Sequence, residues 1–190
     1  MENISKRVFD IVLASIALIL TGIPMMLIGL LVKLSSPGPV IYWSDRVGRN
    51  NVIFRMPKFR TMSENAPAVA THLMNDPDAY VTSLGKYLRK TSLDELPQLW
   101  SILVGSMSIV GPRPALFNQD DLIGLRSAAG VDRLAPGLTG WAQINGRDEL
   151  PIPEKVDLDV EYMHRRSFIF DVRIIYLTII KVLHRKGVSH

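Results

Sequence analysis

The chain has 190 residues, 22 lysines and arginines against 18 aspartates and glutamates, and a net charge of +4. That length accommodates one domain with an appendage and leaves little room for two. With no cysteine, a disulfide framework, a thiolate nucleophile and a cysteine metal site are excluded, while a pI near 9.5 favours an anionic partner.

Residues Ile11 to Val32 carry no charge and are almost all Ile, Leu, Val, Ala and Met, with Thr21, Gly22 and Pro24 among them. At about 1.5 Å per residue this run reaches about 33 Å, enough to cross a hydrocarbon core. It is too long for the apolar part of a signal peptide, and no small-residue cleavage site follows it. Pro24 removes one backbone hydrogen bond and bends the helix. Lys6 and Arg7 precede the run and Lys33, Arg46 and Arg49 follow it, so positive charge sets no orientation. Taken alone, the residues favour a kinked spanning helix. A re-entrant hairpin, with Thr21 bonding the groups freed at the break, is the other reading.

Ser35 to Pro39 is a turn. Val40 to Val47 and Val52 to Phe59 are β-rich runs around Gly48, Arg49, Asn50 and Asn51, which predicts a hairpin whose second strand Pro57 confines to an edge. Ser63 to Asp78 reads as a polar surface loop. Leu84 to Arg89 and Leu93 to Val104 have helical spacing. Gly111 to Gly146 is rich in turns around a short helix at Gln119 to Ala129. Phe168 to Leu183 is apolar with Asp171, Arg173 and Lys181 inside it, which suits either a helix lying in the headgroup region or a core helix. The three tryptophans, Trp43, Trp100 and Trp141, suit interfacial anchors or core positions equally.

Asp94 and Glu95 are adjacent carboxylates in Ser92-Leu93-Asp94-Glu95-Leu96-Pro97. Ser92 with Glu95 fits a capping box, and Pro97 alternatively suits the first turn of a helix that starts later. Either way the acids stand at a helix start, where the peptide dipoles favour negative charge. The candidate cations are Lys58, Arg60, Arg113 between two prolines, and Arg147. Arginine grips phosphate bidentately, and flanking prolines stiffen the backbone that carries Arg113.

These segments together carry a resemblance. Lys6-Arg7-Val8-Phe9-Asp10, the apolar run with Pro24, Lys58-Phe59-Arg60-Thr61-Met62, Ser92 to Gln98, Gly111-Pro112-Arg113-Pro114, Pro136 to Trp141 and Gln143 to Arg147 resemble the small bacterial monotopic phosphoglycosyl transferases. Leu158-Asp159 and Phe170-Asp171-Val172 resemble the family's C-terminal pattern. Ile23 departs from it, because many members have serine before this proline.

The resemblance implies a monotopic, mostly α protein with a small β-hairpin, an α+β fold. Residues 1–36 would form a re-entrant membrane helix hairpin with its break at Pro24, and residues 37–190 a catalytic domain with interfacial helices on the cytosolic face of the bacterial inner membrane. It implies transfer of a sugar 1-phosphate from a UDP-sugar to undecaprenyl phosphate, with UMP released and Mg²⁺ required. Asp94 would be the nucleophile, with Glu95 assisting and both carboxylates serving the Mg²⁺. Arg113 would bind phosphate, as would Lys58, Arg60 and Arg147, and Asp159 and Asp171 are further acidic candidates. The partners implied are UDP-sugar, undecaprenyl phosphate and the phospholipid bilayer, with no nucleic acid and with a homodimer left open. Small size favours an N-acetylated amino-sugar or diacetamido-sugar donor, with glucose or galactose as the alternative. A membrane-tethered module that only binds anions is the competing class.

Overall fold

The structure, a computed structural model, describes residues 4–63, 65–66, 79–146 and 150–184. The loop expected from Ser63 to Asp78 lies mostly outside them, and Arg147 lies wholly outside.

Helix α1 (Ile4–Ser35) is a single helix that contains Pro24, so the chain passes the proline without an intervening loop. Thr21 Oγ1 donates to the Ala17 carbonyl at 2.7 Å. The carbonyl that Pro24 deprives of a donor belongs to Leu20, so the hydroxyl does not make the repair expected of it. Asp10, Ala14, Ala17, Met25, Ile28 and Val32 are turned toward the domain, and their spacing follows one stripe of a continuous helix. The opposite face is apolar and bare, with Ile19 81% and Leu20 73% exposed.

Strands β1 (Ile41–Val47) and β2 (Ile53–Phe59) pair antiparallel, with Trp43 opposite Pro57, so the expected hairpin forms. Its tip turns through Asn50 and Asn51, both at positive φ, which asparagine tolerates better than most residues. Helix α2 (Ser83–Thr91) is capped by Thr82, whose side chain accepts from the Gly85 amide. The expected helix over Leu93 to Val104 is divided. Leu93–Glu95 forms a 3-10 turn and α3 covers Gln98–Val104.

Strand β3 (Ser108–Val110) pairs parallel with β4 (Gly137–Thr139). Between them lie α4 (Asp120–Ala128) and a 3-10 turn at Val131–Arg133. Helices α5 (Trp141–Asn145), α6 (Ile152–Arg165) and α7 (Phe168–His184) follow. The sequence reading did not anticipate α6 or the β3 and β4 pair. The described residues form a mostly helical α+β fold with two small sheets and one helix long and apolar enough to cross a membrane.

Helix α7 is a core helix along one face and bare along the other. Phe170 and Ile174 are buried in the main core, whereas Ile169 is 81% and Tyr176 61% exposed. That core also takes Leu99 and Ile102 of α3, Ile109 and Val110 of β3, Tyr162 of α6 and Ala14 of α1. A smaller cluster joins Ile28 and Val32 of α1 to Phe59 and Leu88.

Candidate active site

Three local features bring the charged groups together. Ser92 adopts the left-handed region, ends α2 by donating its amide to Arg89, and makes no side-chain cap. It is therefore a C-terminal stop, and the capping box is not formed. The turn that follows buries Asp94 and Glu95, and Pro97 then opens α3, as the alternative reading had it. From β2, Lys58 reaches across so that its Nζ lies 3.0 Å from Glu95 Oε1. From the loop after β3, Arg113 places Nη2 at 3.3 Å from the same oxygen.

The loop that carries Arg113 is set by a close approach. A Cβ on Gly111 would lie 2.4 Å from the Ala135 carbonyl oxygen, so only glycine lets this strand end lie so close to the chain before β4. Arg113 is also held from behind. Arg126 of α4 donates through Nε and Nη2 to Asp159 Oδ2, at 2.9 and 2.6 Å, and through Nη1 to the Arg113 carbonyl at 2.8 Å. Sequence reasoning missed Arg126. One arginine in an amphipathic helix gives no signal until its partner is known to face it.

Asp94 is the unusual member. Its Oδ1 is buried and accepts no hydrogen bond from any described residue, which at an interior site costs about 1–3 kcal/mol. Burial pushes its carboxyl above the usual carboxylate range. Lys58 opposes that shift, Glu95 adds to it, and Arg89 and Arg113 oppose it further. Lys58 is driven the other way, with burial lowering it and Glu95 resisting. The site thus holds a partly desolvated carboxylate beside a second one that two cations already occupy.

The other candidates are placed elsewhere. Arg60 Nη2 donates to the carbonyl and hydroxyl of Ser36 at 2.8 and 2.9 Å, while its buried Nε and Nη1 meet no hydrogen-bond partner. Asp159 is occupied by Arg126, and burial raises its carboxyl. Asp171 accepts from Tyr162 and from Lys6, both at 2.8 Å. Beside it Asp10 accepts from the Ser108 hydroxyl at 2.7 Å and the Ile109 amide at 3.1 Å. Asp159 and Asp171 therefore brace the domain, and neither is among the charges that shift Asp94.

Among the described residues no three His, Cys, Asp or Glu side chains gather as a metal cluster. The carboxylate pair Asp94 and Glu95 still suits a hard cation of the kind that takes one or two protein carboxylates, several waters and substrate phosphates. The unpartnered Asp94 oxygen is the available ligand.

A buried carboxylate pair, of which Lys58 and Arg113 hold Glu95, thus lies on a chain with a bare apolar helix. The chain belongs to the bacterial sugar transferase family, whose pattern it matches over residues 1–185. It is 44% identical over 189 residues to the UDP-glucose:undecaprenyl-phosphate glucose-1-phosphate transferase of Escherichia coli, covering 95% of this chain and 40% of that protein. The exopolysaccharide production protein ExoY of Rhizobium meliloti is 40% identical over 202 residues, 97% of this chain and 88% of that one. The UDP-N-acetylgalactosamine-undecaprenyl-phosphate N-acetylgalactosaminephosphotransferase of Aeromonas hydrophila is 37% identical over 183 residues, 94% and 43%. The chain thus spans less than half of two of these relatives and most of the third.

Proposed function

We propose that this protein transfers a sugar 1-phosphate from a UDP-sugar to undecaprenyl phosphate and releases UMP, by way of a covalent phosphosugar on Asp94. The observation that carries the reading is the buried, unpartnered Asp94 oxygen next to a Glu95 held by Lys58 and Arg113. An Asp94 oxygen attacks the phosphorus that bears the sugar, the diphosphate bridge breaks, and its electron pair leaves with UMP. An oxygen of the lipid phosphate then attacks the same phosphorus, frees the Asp94 carboxylate and leaves a diphosphate linking lipid and sugar. Two displacements replace one, and ping-pong kinetics follow.

Arg113 and Lys58 supply fixed positive charge where attacking and leaving groups are both anionic. Their pairing with Glu95 keeps them in place before substrate arrives. Mg²⁺ held by Asp94 and Glu95 would offset charge on the diphosphate. Burial makes Asp94 a more basic nucleophile, and Lys58, Arg89 and Arg113 favour its charged form.

The re-entrant topology is the companion reading. Contacts with the domain run from Lys6 and Arg7 at one end of α1, where Arg7 donates to the Ile102 and Leu103 carbonyls, to Gly29 against Val40 and Lys33 on the Gly38 carbonyl at the other. A helix that crossed the bilayer to the far side would carry one end away from the domain. In this reading both ends of α1 lie on the cytosolic face of the inner membrane, and a cysteine tag at the N-terminus that reacted with an impermeant reagent outside intact cells would refute it.

The test of function is UMP release in detergent or nanodiscs with undecaprenyl phosphate and a panel of UDP-sugars. The Escherichia coli relative puts UDP-glucose first in that panel, and the Aeromonas relative puts UDP-N-acetylgalactosamine second. Diacetamido donors complete it. No release with any donor would favour the anion-binding module instead.

A further inference from the structure

A second basic site lies apart from the Asp94 pair. Behind the loop that carries Arg113 opens a cleft of about 710 Å³, into which Arg49, Arg133 and Arg166 all project. These arginines come from three separate parts of the chain: the hairpin tip, the 3-10 turn after α4, and the end of α6. Among the described residues no carboxylate lines the cleft, and Leu134 and Met163 form an apolar wall. The like charges of Arg133 and Arg166, brought together by tertiary structure, repel one another unless something anionic joins them.

The walls are fixed in place. Asn51 Nδ2 donates to Ser127 Oγ at 2.9 Å, tying the hairpin tip to α4. The Val47 amide donates to the Ala115 carbonyl at 2.9 Å, and the pair of Arg126 with Asp159 ties α4 to α6. Arginines near helix ends often serve the last carbonyls. Here the guanidinium groups of Arg133 and Arg166 donate to no described residue, so that ordinary duty does not account for them. Among the described residues no aromatic ring lines the cleft, so they offer a nucleobase nothing to stack upon. Arginine forks without a stacking surface match phosphate oxygens.

We propose that this cleft is a second phosphate-binding site, one that holds a phosphate or diphosphate group through Arg49, Arg133 and Arg166. Two sources present that chemistry. One is a soluble phosphate or diphosphate. The other is an anionic lipid headgroup, because Arg166 is followed within three residues by Phe168 and Ile169, which are 64% and 81% exposed.

Arginine labelling by phenylglyoxal, read by mass spectrometry on the full chain in nanodiscs, tests the site directly. Arg55, on the exposed face of β2 with its guanidinium 5.4 Å from the Trp43 ring, is the internal reference. If the source is soluble, inorganic pyrophosphate in zwitterionic nanodiscs slows labelling of Arg133 and Arg166 severalfold relative to Arg55. If it is lipid, replacing phosphatidylcholine by phosphatidylglycerol does so without pyrophosphate. Rates at Arg133 and Arg166 that follow Arg55 in both arms overturn the proposal.

A single variant, Arg133→Gln, gives an independent measure with Arg166 as the remaining read-out and Arg55 as the reference. Protection of Arg166 is expected to need about tenfold more pyrophosphate or phosphatidylglycerol, the factor that one lost charge-assisted hydrogen bond corresponds to, whereas the exposed Lys90→Gln on α2 leaves it unchanged. Equal behaviour of the two variants overturns the proposal. Labelling reports occupancy and not turnover, so a negative result here is separate from any failure of the transferase reading.

Discussion

Lys58 Nζ lies 3.0 Å from Glu95 Oε1, and that pairing leaves Asp94, one residue earlier, as the carboxylate without a partner for Oδ1. The lysine answers Glu95 by direct contact and Asp94 through its field. This division of labour separates a held acid from an available one, and the first predictions follow from it.

Asp94→Asn removes the attacking oxygen. UMP release is expected to fall by at least about a thousandfold, the scale seen when a covalent nucleophile is lost. No phosphosugar adduct should appear by intact mass after UDP-sugar is added. An adduct on the variant would place the nucleophile elsewhere.

The same substitution has a stability signature. The Asp94 carboxyl titrates above its ordinary value in the folded chain, so the folded state binds that proton more tightly than the unfolded state does. Stability is therefore lost as pH rises from the unfolded value through the raised folded one. Asp94→Asn escapes that loss. Its melting temperature should exceed that of the parent at neutral pH, and the gap should close as pH falls below the ordinary carboxylate range. A gap that stays constant with pH would contradict the argument.

Lys58→Gln removes the leading opponent of that upward shift. The acidic limb of the kcat/KM profile, which rises as Asp94 ionises, is expected to move to higher pH. Arg113→Gln should move it the same way by less, since Arg113 is the weaker influence. A limb that shifts downward would show that another group governs it.

Asp159→Ala leaves Arg126 buried and unpaired, at a cost of about 3–5 kcal/mol, to be measured by denaturant unfolding in detergent. Asp159→Asn keeps the shape. It should reduce turnover through the looser Arg113 backbone without changing the Mg²⁺ concentration for half-maximal activity, whereas Glu95→Gln should raise that concentration. An altered Mg²⁺ requirement in Asp159→Asn would make Asp159 a metal ligand after all.

Gly111→Ala pushes a methyl group to 2.4 Å from the Ala135 oxygen, so β3 and the chain before β4 must part. Stability should drop by about 1–3 kcal/mol as for other overpacked sites, and affinity for the donor should fall with it, because Pro112 and Arg113 follow directly. A thermal melt with a donor titration reads both effects.

Much of the site was visible in the chain before any fold was known. Adjacent acids before Pro97, Arg113 between prolines and Lys58 on an edge strand are each local patterns, and each proved to sit where the charges meet. What the sequence hid depends on distant partners. Helix α6 was missed because its buried face, Val156, Asp159 and Tyr162, has an aspartate at its centre, which breaks the apolar period. Strands β3 and β4 span three residues each, too short for alternation to register. Asp159 and Asp171 looked like candidates for chemistry, and only the positions of Arg126, Lys6 and Tyr162 reveal them as braces. Ser92 looked like a cap because its neighbours fit one. Its left-handed backbone, set by the end of α2, decided otherwise.

The pair of Lys6 with Asp171 joins residues 165 positions apart. Helix α1 is thus fastened by a carboxylate on α7. Synthesis runs from α1 to α7, so the bare apolar face of α1 waits through the making of the whole domain before Asp171 can hold Lys6. Contacts of such long sequence separation close slowly. The union of α1 with the domain around Asp94 is accordingly a late docking step across a long stretch of chain.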